Sequence, residues 1–125
     1  MNITITSQKR NGYLFIESKG TIENVDELMA HSRMIYDEIS KHDLKKILIY
    51  EPETSLPLDL VAHFNLVKNY IEQYPRDIRE FTIAVVVAEA FKEVAATWET
   101  ICQSRGLQYF VFTSLEDAIN YLIEE

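Results

Sequence analysis

The chain reads as an α/β protein built on a largely parallel sheet, and three observations predict it. Short apolar, β-branched runs alternate with amphipathic segments at helical spacing. The alternation is strict after an opening β-hairpin, giving the order β-β-α-β-α-β-α-β-α. Each segment boundary also carries a residue suited to a turn or a cap. With 125 residues, 47% hydrophobic and 26% charged, the composition is ordinary for one globular domain over residues 1–125.

The hairpin comes first. Ile3-Thr4-Ile5 alternates, Tyr13-Leu14-Phe15-Ile16 is β-rich, and Asn11-Gly12 between them supplies the positive-φ positions of a tight turn. Gly20 closes this unit. A helix is expected from about Asn24 to His42, with Asn24 as N-cap and Glu27 in the capping-box position. Its inner stripe is Val25, Leu28, Met29, Ile35, Tyr36 and Ile39.

Ile47-Leu48-Ile49-Tyr50 then reads as a strand buried on both faces. Glu51 to Pro57 reads as a loop. A second helix is expected over about 58–74, with Pro57 suited to its first turn and Pro75 marking its stop. Phe81 to Ala88 is the most apolar strand and is expected at the centre of the sheet. A third helix, Ala90 to Arg105, buries Phe91, Val94, Ala95, Trp98, Ile101 and Cys102 and ends at Gly106, a left-handed C-cap position. Gln108 to Thr113 is the last strand. Ser114 caps a final helix that turns Ala118, Ile119 and Leu122 inward.

This order resembles the STAS fold, and specifically the small SpoIIAA-like bacterial proteins related to anti-sigma-factor antagonists. The most telling local segment runs from Tyr109 to Leu122, Tyr-Phe-Val-Phe-Thr-Ser-Leu-Glu-Asp-Ala-Ile-Asn-Tyr-Leu. It is similar to that family's terminal strand, turn and helix. The resemblance implies a non-enzymatic regulatory module that binds another protein. Antagonists of the family carry an Asp-Ser-Ser-Gly-like segment whose serine is phosphorylated. Here the matching stretch is Thr54-Ser55-Leu56-Pro57-Leu58-Asp59, without that motif and without glycine. Ser55 is the nearest hydroxyl for phosphorylation. Its plainer role is to cap the following helix, so the serine switch is not expected.

Several function classes are disfavoured by the sequence. The net charge of −8 opposes binding to nucleic acid or to anionic membrane surfaces. Three scattered glycines cannot form a phosphate-binding loop. The single cysteine, Cys102, allows neither an internal disulfide nor a multi-cysteine zinc site, and it sits near a helix C-terminus where the dipole opposes a thiolate. His31, His42 and His63 include no pair four residues apart. No catalytic residue, resident metal or cofactor is assigned. The opening residues lack a signal-peptide pattern, and the longest apolar run is far shorter than a membrane span, so a cytoplasmic location is expected.

One charge pattern stands out. In a parallel sheet, strand C-termini and helix N-termini share an edge, and here that edge collects Glu51, Glu53, Asp59 and Glu89 among other acids. The opposite edge collects Lys41, Lys45, Lys46, Arg76, Arg79 and Arg105. Helix dipoles alone favour such a distribution. The functional reading is a docking face for a partner protein with a basic surface, formed by Glu51, Glu53, Ser55, Asp59 and Glu89. The same carboxylates could instead hold a divalent cation weakly. An alternative function is binding of a small ligand or lipid, which requires an apolar cavity beneath the helices near Phe64, Phe91 and Trp98. An exposed first strand would also let the chain pair with a second copy.

Overall fold

The computed structural model describes residues 2–56 and 76–124. Its elements are β1 (Asn2–Arg10), β2 (Tyr13–Thr21), α1 (Val25–Ser40), β3 (Lys46–Ser55), a 3-10 turn (Arg76–Glu80), β4 (Thr82–Val87), a second 3-10 turn (Glu89–Phe91), α2 (Lys92–Ser104), β5 (Gln108–Phe112) and α3 (Leu115–Glu124). The strands form one sheet in the order β1-β2-β3-β4-β5. β1 and β2 are antiparallel, while β2 through β5 run parallel. This is the mostly parallel α/β sheet with an N-terminal hairpin that the alternation of segments predicts. The helix expected over 58–74, with Asp59, His63 and Phe64, lies outside the described residues.

The caps fall where the sequence puts them. Asn24 Oδ1 accepts from the Glu27 backbone N–H at 2.9 Å. The Glu27 carboxylate reaches back to the N–H of Glu23, one residue before the cap, at 3.0 Å. Ser114 Oγ accepts from the Asp117 N–H at 3.2 Å. Gly106 has φ +86°, the left-handed conformation that stops α2.

Three expectations need correction. Asn11 keeps a negative φ, and Gly12 alone in the hairpin turn takes a positive one, +82°. The loop is therefore not the two-residue turn with positive φ at both positions. The middle strand is β3, with β4 beside it. Finally, β3 does not end at Tyr50 but continues to Ser55. Its extra length pairs with β2, matching Lys19 to Glu53, Gly20 to Thr54 and Thr21 to Ser55. The register slips between Glu17 and Lys19, where Glu51 and Pro52 lie opposite Ser18. Pro52 is tolerated inside a strand because a bulge demands no N–H from it.

Strand parity sorts the side chains onto two faces. On one, Leu14, Ile16, Ile47, Ile49, Ile83 and Val85 pack under α1 and α2 with Ile35, Ile39, Trp98 and Ile101. On the other, Phe15, Leu48, Ala84 and Val86 pack against Ala118 and Leu122 of α3. β1 forms one edge of the sheet and is tied to α1 by Ser7 Oγ, which donates to Glu38 Oε1 at 2.5 Å. No helix among the described residues is long and apolar enough to cross a membrane.

Gly20 holds the β1–β2 ribbon together. It has φ +138°, and a Cβ there would lie 2.0 Å from the carbonyl oxygen of Asn2. Gly12 also has positive φ, but nothing approaches within 4 Å of its Cβ position. Gly20→Ala is therefore expected to cost at least about 3 kcal/mol, against about 1 kcal/mol for Gly12→Ala. Denaturant midpoints of the two variants measure the difference, and equal costs would contradict the close approach.

Candidate functional site: a buried polar cluster on an apolar cavity

The extension of β3 decides where the polar groups go. Ile47 and Ile49 face the α1–α2 side, so Glu51 follows them inward. Ser18 does the same after Leu14 and Ile16 on β2. His31 lies on the buried stripe of α1 beside Leu28 and Ile35. Ser18, Thr54, His31 and Glu51 are 0%, 2%, 5% and 6% exposed.

The hydroxyls and the imidazole form a connected network. Thr54 Oγ1 donates to the Ser18 carbonyl at 2.8 Å. Ser18 Oγ lies 3.0 Å from Thr54 Oγ1 and 2.9 Å from His31 Nε2. Each contact needs its own proton, and one allocation supplies all three. Thr54 spends its proton on the carbonyl, so Ser18 must donate to Thr54. His31 must then donate from Nε2 to Ser18. This fixes the tautomer of His31 and makes Ser18 an acceptor toward the imidazole.

Glu51 stands beside this network without joining it. Its Oε2 lies 3.8 Å from His31 Nε2, beyond hydrogen-bonding distance, and makes no hydrogen bond among the described residues. Burial raises the Glu51 carboxyl from 4.5 to about 8, and burial lowers the His31 imidazole from 6.5 to about 4. The distance would permit an ion pair, but the charges do not form at neutral pH. Proton transfer from an acid near 8 to a base near 4 is uphill, so both groups are neutral.

These groups border a cavity of about 80 Å³ between α1, α2 and the sheet. Ile35, Ile83, Trp98 and Cys102 line it with His31 and Glu51. No lysine or arginine lines it among the described residues. Trp98 is on its wall as the ligand-binding alternative requires, whereas Phe91 is not and Phe64 lies outside the described residues.

The cluster does not match nucleophilic catalysis. A serine–histidine–acid relay needs the serine and the acid on opposite imidazole nitrogens. Here both approach Nε2, and the imidazole donates to Ser18 rather than accepting from it. Cys102 is 1% exposed, and burial with the nearby Glu99 charge pushes its thiol far above the ordinary range. It is a structural thiol.

The residues read from sequence as an acidic docking face differ in exposure. Glu51 is buried in the core and cannot contribute to a surface, because β3 continues past Tyr50. Glu53 is exposed, 3.5 Å from Lys19. Glu89 is exposed, 3.9 Å from Lys92. Ser55 is half-buried, and its carbonyl accepts from the Ile22 N–H at 2.9 Å. Asp59 lies outside the described residues. Ser18, His31 and Thr54 were not singled out as a site by sequence reasoning. Inward parity on β2 and the α1 stripe were the signals that could have found the first two.

The pH dependence of stability follows from the two shifts. Glu51 keeps its proton when folded and loses it when unfolded between pH 4.5 and about 8, so its contribution falls as pH rises. His31 has the opposite sign between pH 4 and 6.5, where only the unfolded chain is protonated. The two slopes cancel from 4.5 to 6.5, and Glu51 alone acts from there to 8. Because His31 is common to both proteins, Glu51→Gln should gain on the parent by about 1.4 kcal/mol per pH unit between pH 4.5 and about 8. Denaturation at several pH values measures this, and a variant that loses ground as pH rises would show an ionised, stabilising Glu51.

No protein-family model matches the chain, and no curated protein matches it in sequence. A solved structure does match in shape, the crystal structure of an anti-sigma factor antagonist from Mycobacterium paratuberculosis. It aligns with a TM-score of 0.63 over 98% of this chain and 95% of that one, at 12% identity. The chain therefore has a STAS-like fold, shared with that solved structure.

Proposed function

We propose that the chain is a non-enzymatic regulatory module that acts by binding another protein. The carrying observation is the wiring of the buried cluster at the strand C-termini, where open α/β sheets place their functional groups. There the hydroxyls and imidazole satisfy one another as structural groups, in a fold otherwise seen in an anti-sigma factor antagonist. The partner would be a protein with a basic surface, engaged by the exposed Glu53 and Glu89 near that edge. The reading includes no serine switch: Ser55 is a half-buried strand residue in a segment without the family's phosphorylated motif. A cytoplasmic setting fits such a role.

A second reading is favoured by a separate observation. The cavity bordered by Trp98 and Glu51 is the kind of space that takes a small apolar ligand. Binding there would bias the packing of α1 and α2 on the sheet.

The first reading is tested with a partner captured on the immobilised chain from extract of its own organism at low salt. The purified pair is then measured with the parent and with Glu53→Lys/Glu89→Lys. Charge reversal should slow association several-fold and flatten its salt dependence. An unchanged rate at every salt concentration would contradict the docking face.

A further inference from the structure

We propose that the cavity between α1, α2 and the sheet binds a small, uncharged, mostly apolar molecule bearing one oxygen head group, and that the Glu51 carboxyl holds the head. The inference rests on the second reading above and deepens it. Glu51 is 6% exposed, and its Oε2 is a buried polar atom without a hydrogen bond among the described residues. Buried polar atoms are ordinarily satisfied, and this one belongs to a side chain that lines a cavity. Ser18, Thr54 and His31 use their protons on one another, so none of them is available to Oε2.

The lining restricts the head group. An anion would meet no lysine or arginine among the described lining residues, and it would face a carboxyl. A cation would have to leave water for walls that are mostly apolar beyond the Ser32, Tyr36 and Tyr109 side chains, with one carboxyl as its counter-charge and a neutral imidazole beside it. A hydroxyl or carbonyl oxygen suffers neither penalty. It accepts from the protonated Glu51 carboxyl, and a hydroxyl can also donate to it. The volume restricts the rest. A cavity of about 80 Å³ has room for a short aliphatic body rather than a long chain.

The chain's single tryptophan, Trp98, lines this cavity and reports on its contents. The experiment follows the Trp98 indole NMR signal and fluorescence of the full chain during titration with 1-butanol, 1-chlorobutane, butyrate and n-butylammonium. These probes share one body and differ in the head. The expected result is saturable binding of 1-butanol, roughly tenfold tighter than 1-chlorobutane, with no saturable response to either ion. Glu51→Leu should erase the preference for the alcohol while still binding 1-chlorobutane. Glu51→Gln, which keeps a donor and an acceptor, should retain the preference.

Each contrary outcome overturns something definite. Equal binding of 1-butanol and 1-chlorobutane by the parent, or an alcohol preference that survives Glu51→Leu, removes Glu51 as the anchor but leaves a ligand cavity. Tightest binding of n-butylammonium makes the site one for cations and overturns the uncharged head. No saturable response to any probe overturns both this inference and the ligand reading.

Discussion

A carboxyl group inside the core is the constraint around which the rest of the structure is arranged. β3 is the middle strand, flanked by parallel neighbours and covered on both faces as far as Glu51, so up to the bulge it has no outward side for an acid. Glu51 continues the parity of Ile47 and Ile49 and enters the α1–α2 side. A buried unpaired carboxyl costs roughly 1–3 kcal/mol even when neutral. The bulge at Glu51-Pro52 shifts the register of β3 against β2 by one residue and brings Thr54 to Ser18. That pairing satisfies the hydroxyls and recruits His31, which leaves the Glu51 Oε2 on the cavity wall without a hydrogen bond among the described residues. The neutral pair, the cavity and the unusual pH dependence all descend from this one placement.

The two faces of the sheet show how local the effect is. On the α3 side, Phe15 stacks on Tyr50 with ring centroids 5.7 Å apart, and Tyr121 packs against Phe110 and Phe112 at 4.9 and 5.7 Å. Large rings line that side among the described residues. The α1–α2 side is mostly aliphatic around Phe81 and Trp98, and the four buried polar side chains among the described residues lie on or beside it. Aliphatic side chains around fixed polar groups cannot close as tightly, since each polar atom dictates the position of its neighbours.

Much of the fold was legible in the sequence, because it is written in local chemistry. Asn24 and Ser114 cap helices for reasons that reside in their own side chains, and Gly106 stops a helix because it lacks a Cβ. Strand and helix periods then fix the element order. The end of β3 was not legible, because Pro52 and the charges around it argue for a loop. Only the pairing with β2, a tertiary fact, keeps the strand going. That single error turned Glu51 from a core residue into a surface acid. His31 was hidden for a related reason: the helical period shows the stripe it borders but not the serine that meets it from β2.

The state of Glu51 is the most direct test of this account. The measurement is a pH titration of the Glu51 side-chain carboxyl carbon by NMR, assigned by comparison with Glu51→Gln. The account predicts a midpoint near 8, far above the ordinary 4.5. A midpoint in the ordinary carboxylate range would mean that Glu51 is solvated or paired as an anion, and the buried neutral cluster would not exist.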